Sequence, residues 1–215
     1  MIVECLVTTL DESGELNVAP MGPRFDDCFD WQTPMGGTFR LCPFEPSRTL
    51  DNLRSVRAGV LNFTDNVLML AQMALKAEDI QWPDSHGAQK IRGRHLTDAG
   101  RCWEFEVESV TADGPRWRCN CRVVHVVEKR PLLVFNRAMH AVIEATILAT
   151  RIGILPDDQI RAQIATLSPL IEKTAGPEQL AAWNWVCRWV DQRLPLKPDA
   201  SSSSEALISA KANER

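Results

Sequence analysis

Pro43-Phe44-Glu45-Pro46-Ser47-Arg48-Thr49-Leu50-Asp51-Asn52-Leu53 is the stretch whose reading decides the fold of this chain. A strand-like run from Thr38 to Phe44 stops at a turn, and two hydroxyls, an arginine and an amide follow where a helix should begin. The first turn of a helix leaves backbone N–H groups unpaired and carries partial positive charge. With Ser47, Arg48 and Thr49 added, that turn is a small anion cradle suited to a phosphate. The same hydroxyls also serve a plainer purpose, in which Ser47 or Thr49 only caps the helix.

Working outward, Asn17-Val18-Ala19-Pro20-Met21-Gly22-Pro23 ends a short strand upstream, and Gly59-Val60-Leu61-Asn62-Phe63-Thr64-Asp65-Asn66 is a second strand ending in polar residues downstream. The order is hairpin, A-P-M-G, S-R-T-x-x-N, helix, then V-L-N-x-T-D. That order resembles the flavin-reductase-like, FMN-binding split barrels and, more closely, the family called domain of unknown function 447. The likeness continues through Glu128-Lys129-Arg130-Pro131 and Phe135-Asn136-Arg137-Ala138-Met139-His140-Ala141-Val142-Ile143-Glu144-Ala145, over residues 2 to 175. It implies FMN as cofactor, with Ser47, Thr49 and Asn52 on the phosphate side, Met21 and Gly22 along the ring, and Asn62 and Asp65 near the ring edge. It also implies a homodimer with the flavin near the subunit interface. The chemistry implied is flavin redox with a small-molecule reductant and acceptor, the acceptor being of pterin type from one-carbon metabolism.

The residues suit such a ligand. A flavin asks for donors and positive charge at its phosphate, which Ser47, Arg48 and Thr49 supply, and for backbone partners along the ring edge. Ala19, Pro20, Met21 and Gly22 allow close approach, and proline cannot donate, so the donors are the amides of Ala19, Met21 or Gly22. Asn52 and Asn62 are candidates for the ribityl hydroxyls. Each has a plainer reading: Asn52 as a solvated helix residue, and Asn62 with Asp65 as a strand end followed by a helix cap. Split barrels often place a basic side chain beside the flavin N1–C2 carbonyl. Arg24 and Arg40 are candidates here, and neither sits in a diagnostic motif.

Asn136, His140 and Glu144 stand at i, i+4 and i+8 of a helix and share one face. An H-x-x-x-E pair serves acid–base chemistry, metal ligation, a helix-positioning hydrogen bond or a dimer contact. With Arg137, which could reach an anion, these four are candidates for lining a pocket. His86, His95 and His125 carry no motif, and Trp185 and Trp189 share a helical face that reads as packing.

Composition narrows the classes. The chain has 215 residues, 45% hydrophobic and 24% charged, with a formal net charge of −4, which points to neither nucleic acid nor a membrane surface. No run reaches the length of a membrane span, and Met1-Ile2-Val3-Glu4-Cys5 lacks a basic leader, so the expected location is cytoplasmic. Seven cysteines without a repeating spacing read as reduced core residues; Cys119 and Cys121 alone are a poor zinc signature, and no metal is expected.

The pattern predicts strands over 2–10, 16–19, 38–44, 59–63, 101–111 and 116–129 and helices over 49–57, 65–75, 136–151, 156–172 and 176–193, with a polar loop over 77–100. In the strand from Arg101, Trp103, Phe105 and Val107 take one face and Glu104, Glu106 and Glu108 the solvent face. The fold class expected is α+β: a mostly antiparallel, six-stranded split β-barrel over 1–134 with peripheral helices, a C-terminal helical bundle over 135–193 and a disordered tail over 194–215. The functional reading is an FMN-binding flavoprotein acting as a flavin-dependent oxidoreductase. The rival readings are a non-enzymatic flavin carrier or sensor, and a split barrel holding another phosphorylated ligand.

Overall fold

The computed structural model describes residues 1–76, 80–132 and 136–194. Six strands form one antiparallel sheet in the order β2-β1-β4-β7-β8-β3. They are β1 (Cys5–Leu10), β2 (Leu16–Met21), β3 (Thr38–Leu41), β4 (Ala58–Phe63), β7 (Arg101–Asp113) and β8 (Arg116–Glu128). Asp11 and Gly14 turn the chain between β1 and β2, Gly14 at a φ of 92° that glycine tolerates best. The sheet curls until its two edges nearly meet. Just past β2, Arg24 exchanges both backbone hydrogen bonds with Arg40 of β3, at 2.8 and 2.9 Å, and closes the barrel at that end. Elsewhere, among the described residues, β2 pairs only with β1, and its other edge has no strand partner.

All six residues of β1 and all six of β4 are buried, because both faces of these central strands are covered. Alternate residues explain why. Cys5 and Val7 point into the barrel with Leu41, Leu61, Phe63, Trp103 and Phe105. Leu6 and Val60 point the other way, against Met69 and Met73 of α2 (Val67–Leu75) and against Leu96. Trp103 is fully buried among aromatic rings, stacked on Phe29 with centroids 5.7 Å apart and edge-on to Phe63 at 4.8 Å. The helices α3 (Arg137–Ala149) and α5 (Pro177–Arg193) pack on α2, and α4 (Asp157–Thr174) packs on α3, through a third apolar cluster in which Ala138, Ala141 and Ala145 let neighbouring backbones approach closely.

The mostly antiparallel split barrel with C-terminal helices is as the sequence pattern predicts. Three local expectations are corrected. Within 77–100, residues 77–79 lie outside the described residues, but the remainder is not plain loop: β5 (Ser85–Gly87) and β6 (Arg94–Leu96) form a small hairpin. Three-residue strands made of Ser, His, Gly, Arg and Leu carry no period-2 signal. Barrel side chains hold them instead: Thr8 Oγ1 donates to the Arg94 carbonyl at 2.6 Å and Lys129 Nζ to that of Leu96 at 2.8 Å. The second correction is Glu104, which is fully buried because the segment joining β5 to β6 lies across that face of β7. The third is the cap of α2. Asn66, not Asp65, accepts from the Met69 amide at 2.9 Å, while Asp65 takes two hydrogen bonds from Arg130 at 3.0 and 2.6 Å. Of the predicted tail only Leu194 is described.

Glu104 is held by three donors. Its two oxygens accept from the Gln89 and Lys90 amides, each at 2.7 Å, and His95 Nε2 lies 2.8 Å from Oε1. A carboxylate only accepts, so Nε2 carries the proton and donates. Desolvation pulls the His95 imidazole below its ordinary value of 6.5, more than Glu104 lifts it. The amides of Gln89 and Lys90, then the imidazole, hold the Glu104 carboxyl below its ordinary 4.5 despite its own desolvation. Both groups therefore bind protons more weakly in the folded than in the unfolded chain. Their contributions are complete above the unfolded values and are lost on acidification, first as pH falls below 6.5 and further below 4.5. Urea midpoints are expected to fall steadily between about pH 7 and pH 4, and the fall is expected to be shallower in a His95→Gln variant.

Candidate functional site

The free edge of β2 is the floor of a cleft of about 580 Å³. Ala19, Pro20, Met21 and Gly22 line it from β2, and Ser47, Arg48 and Thr49 line it from the start of α1 (Arg48–Ser55). The two segments are some 25 residues apart in the chain and meet here because α1 packs on β1, β2 and β4. The far wall is α3, through Ile143, Thr146 and Ile147, with its C-cap Thr150.

Local chemistry fixes the cradle. Ser47 is the N-cap of α1, its Oγ accepting from the Leu50 amide at 3.3 Å. Thr49 is buried and its hydroxyl accepts from Asn17 Nδ2 at 3.0 Å. Asn17 and Asn52 both reach Thr9 Oγ1, at 3.3 and 3.0 Å. Four buried polar side chains on three elements thus pin the first turn of α1 to the strands, and the low-dielectric setting makes each hydrogen bond costly to lose. Arg48 stands at the mouth, 2.8 Å from Glu15 and 3.8 Å from Asp11, and the Glu15 carboxylate raises its already high pKa. Gly22 is needed for close approach: a Cβ there would come within 2.5 Å of Ile2 Cγ2 and 3.5 Å of Glu4 Oε1. Glu4 also lines the cleft; desolvation, then the like charge of Glu144 on α3, lifts its carboxyl above the ordinary range.

The remaining candidates lie elsewhere. Asn52 is buried and does not line the cleft; its amide is spent on Thr9. Asn62 is in the core beneath β1: Nδ2 reaches the Leu6 carbonyl, the Thr8 hydroxyl and the Val60 carbonyl, and Oδ1 accepts from the Leu96 amide at 2.8 Å. Its truncation to alanine is expected to cost about 3 kcal/mol, seen as a lower urea midpoint at unchanged slope. Asp65 borders a separate hollow with Asp98, Arg130 and Glu178. Asn136 caps α3, accepting from the Ala138 and Met139 amides, and ties it to the Thr174 carbonyl. Arg137, His140 and Glu144 are exposed on α3 outside the cleft lining, with Glu144 near enough to act on Glu4. Arg24 lines the cleft, whereas Arg40 does not and pairs with Asp26 at 2.5 Å. All seven cysteines are free, and among the described residues no cluster could hold a metal ion. No described helix is long and apolar enough to cross a membrane.

Several cleft residues escape sequence reasoning. Glu4, Phe44, Lys76, Arg116 and Arg151 all line it. Phe44 belongs to the stretch that leads into α1 but carries no ligand signal of its own, and the other four sit in no motif and arrive through tertiary packing.

A curled antiparallel sheet with helices stacked at one side and a cleft along an edge strand is the arrangement of the split β-barrel class. Within it, the chain belongs to the family described as "Protein of unknown function (DUF447)": residues 3–130 match its N-terminal domain and 136–188 its second domain. The structure is similar to that of an FMN-bound protein of the same family from Methanosarcina mazei, at 18% identity and a TM-score of 0.72 over 87% of this chain and 94% of that one. It is also similar to the flavin reductase HpaC complexed with NADP+, at 16% identity and a TM-score of 0.50 over 62% and 83%. An FMN-binding protein from Thermus thermophilus matches at 17% identity and a TM-score of 0.48 over 59% and 71%. No curated protein matches the chain.

Proposed function

We propose that this protein is an FMN-binding flavoprotein and a flavin-dependent oxidoreductase, working in the cytoplasm as a homodimer. One observation carries the reading: the A-P-M-G segment and the S-R-T segment line one cleft along a strand edge with free backbone groups. The residues fit the cofactor. Ser47, Thr49 and the first amides of α1 suit a phosphate, with Arg48 and Lys76 adding charge. The edge of β2 at Ala19, Met21 and Gly22 offers main-chain donors and acceptors to a flat heterocycle, and Gly22 lets the ring lie close. The family match and the shared fold with an FMN-bound relative support it.

Held by these residues, FMN would supply hydride or one-electron transfer from a small reductant to an acceptor. The protein's own contribution is positional. The Thr9–Asn17–Thr49–Asn52 network keeps the cradle rigid, Asn62 braces the strand beneath, and α3 walls the cleft from water. Ile2, Phe44 and Ile147 stand at its mouth with 57%, 51% and 40% of their surface exposed, an apolar rim suited to a second copy of the chain. The reading is tested by titrating the protein with FMN and with riboflavin. FMN is expected to bind at one per chain and at least tenfold more tightly, since only it carries the phosphate. Equal affinities would remove the cradle from the site. NADH or NADPH added without oxygen is then expected to bleach the bound flavin.

A further inference from the structure

The chain carries a formal net charge of −4, yet the cleft is lined by Arg24, Arg48, Lys76, Arg116 and Arg151 against the single carboxylate of Glu4. Only Arg48 has carboxylate partners, Glu15 and Asp11; among the described residues none of the other four makes an ion pair. A phosphate monoester brings a charge of about −2, which leaves part of this cationic lining unmatched.

Apart from Arg151, which follows α3, the cations fall into two groups. Arg48 and Lys76 stand at the Asn17 end, where all three also line a smaller adjoining hollow with Trp82. Arg24 and Arg116 stand at the other end. The Arg24 backbone is bonded to Arg40, and Arg116 Nη1 donates to the carbonyl of Cys42, only two residues further along the chain. Thr49 is hydrogen-bonded to Asn17, and Arg24 lies seven residues beyond Asn17, paired with Ile2 as Asn17 is with Thr9, about 20 Å along the chain. A phosphate in the Ser47–Thr49 cradle is remote from Arg24, while Arg116 faces Phe44, three residues before Ser47, and stands between the two ends. Arg116 is held in place: its guanidinium carbon lies 3.9 Å from the centre of the Phe44 ring, and Phe44 remains half exposed. An arginine braced on an aromatic ring, beside a second unpaired arginine, suits a carboxylate or phosphate attached to a flat apolar group.

We propose that the cleft binds, beside FMN, a second small molecule that is anionic and planar, its carboxylate or phosphate held by Arg24 and Arg116 and its flat part laid against Phe44. The proposal rests on the FMN reading only for the occupant of the first pole. It is tested by titrating FMN-loaded protein with benzoate and, separately, with inorganic phosphate, following the flavin spectrum and the heat of binding. At least one probe is expected to bind, the stronger one telling carboxylate from phosphate. Arg24→Gln with Arg116→Gln is expected to weaken that probe at least about tenfold and FMN by a clearly smaller factor. Arg24→Gln alone, whose side chain holds nothing else in place, gives a smaller loss in the same direction should the double variant not fold. Failure of both probes to bind, or loss of FMN affinity in place of probe affinity, overturns the proposal. If FMN itself does not bind, the same titrations on the unloaded protein separate the two claims: probe binding lost with Arg24 and Arg116 keeps the anionic site and removes the flavin from the cleft.

Discussion

Removing the hydroxyls of Ser47 and Thr49 together is expected to weaken FMN binding by two to three orders of magnitude. A hydrogen bond to a charged group contributes about 1.5–3 kcal/mol, so two of them amount to about 3–6 kcal/mol; each 1.4 kcal/mol is tenfold in affinity, and the lower half of that range gives the two to three orders expected. The variant also disturbs the fold, because Ser47 caps α1 and Thr49 accepts from Asn17. Losing such a cap costs about 1 kcal/mol of stability. The two effects separate in Ser47→Asp. Aspartate caps a helix as well as serine, so stability is retained, but its charge repels a phosphate and FMN affinity falls steeply. Fluorescence titration of both variants checks the point; unchanged affinity in both would take these residues out of the site.

The second large effect is on stability. Glu104→Ala is expected to destabilise the protein by about 3–5 kcal/mol and to lower its melting temperature by about 10 °C or more. The alanine leaves the Gln89 and Lys90 amides and His95 Nε2 facing a buried gap with no acceptor. Those donors anchor the β5–β6 hairpin to β7, so hydrogen exchange is expected to rise first at Gln89, Lys90 and Leu96. A loss below about 1 kcal/mol would show that the pair is not structural, and thermal melts against wild type measure it.

The parts of this fold that were legible in the sequence are those where local chemistry and tertiary packing agree. Gly14 after Asp11 marks a hairpin, and Ser47 ahead of Arg48 marks the start of α1, because each satisfies backbone groups within a few residues. Alternation along Trp103, Phe105 and Val107 gave the barrel face of β7, but the same alternation misplaced Glu104. Period-2 reasoning assumes that a carboxylate facing away from the barrel faces water, whereas here a hairpin without strand propensity covers it. Asn52 and Asn62 show the converse. An asparagine at a strand end or helix face looks free in a sequence, and only the fold reveals that Thr9, Leu6 and Leu96 have taken its amide. The cleft itself was half legible. Residues 19–22 and 47–49 announced themselves as an ordered pair of motifs, while Arg116, Lys76 and Arg151 reach it from elements whose local sequence says nothing of a ligand.

The central claim is that the cleft along β2 holds FMN. Its most direct test is the visible absorbance spectrum of the purified protein after saturation with FMN and exhaustive dialysis. The account predicts that the flavin bands remain, at one flavin per chain, and that they are lost on dialysis of the Ser47→Asp variant. A wild-type protein that dialyses colourless at micromolar concentration would contradict it.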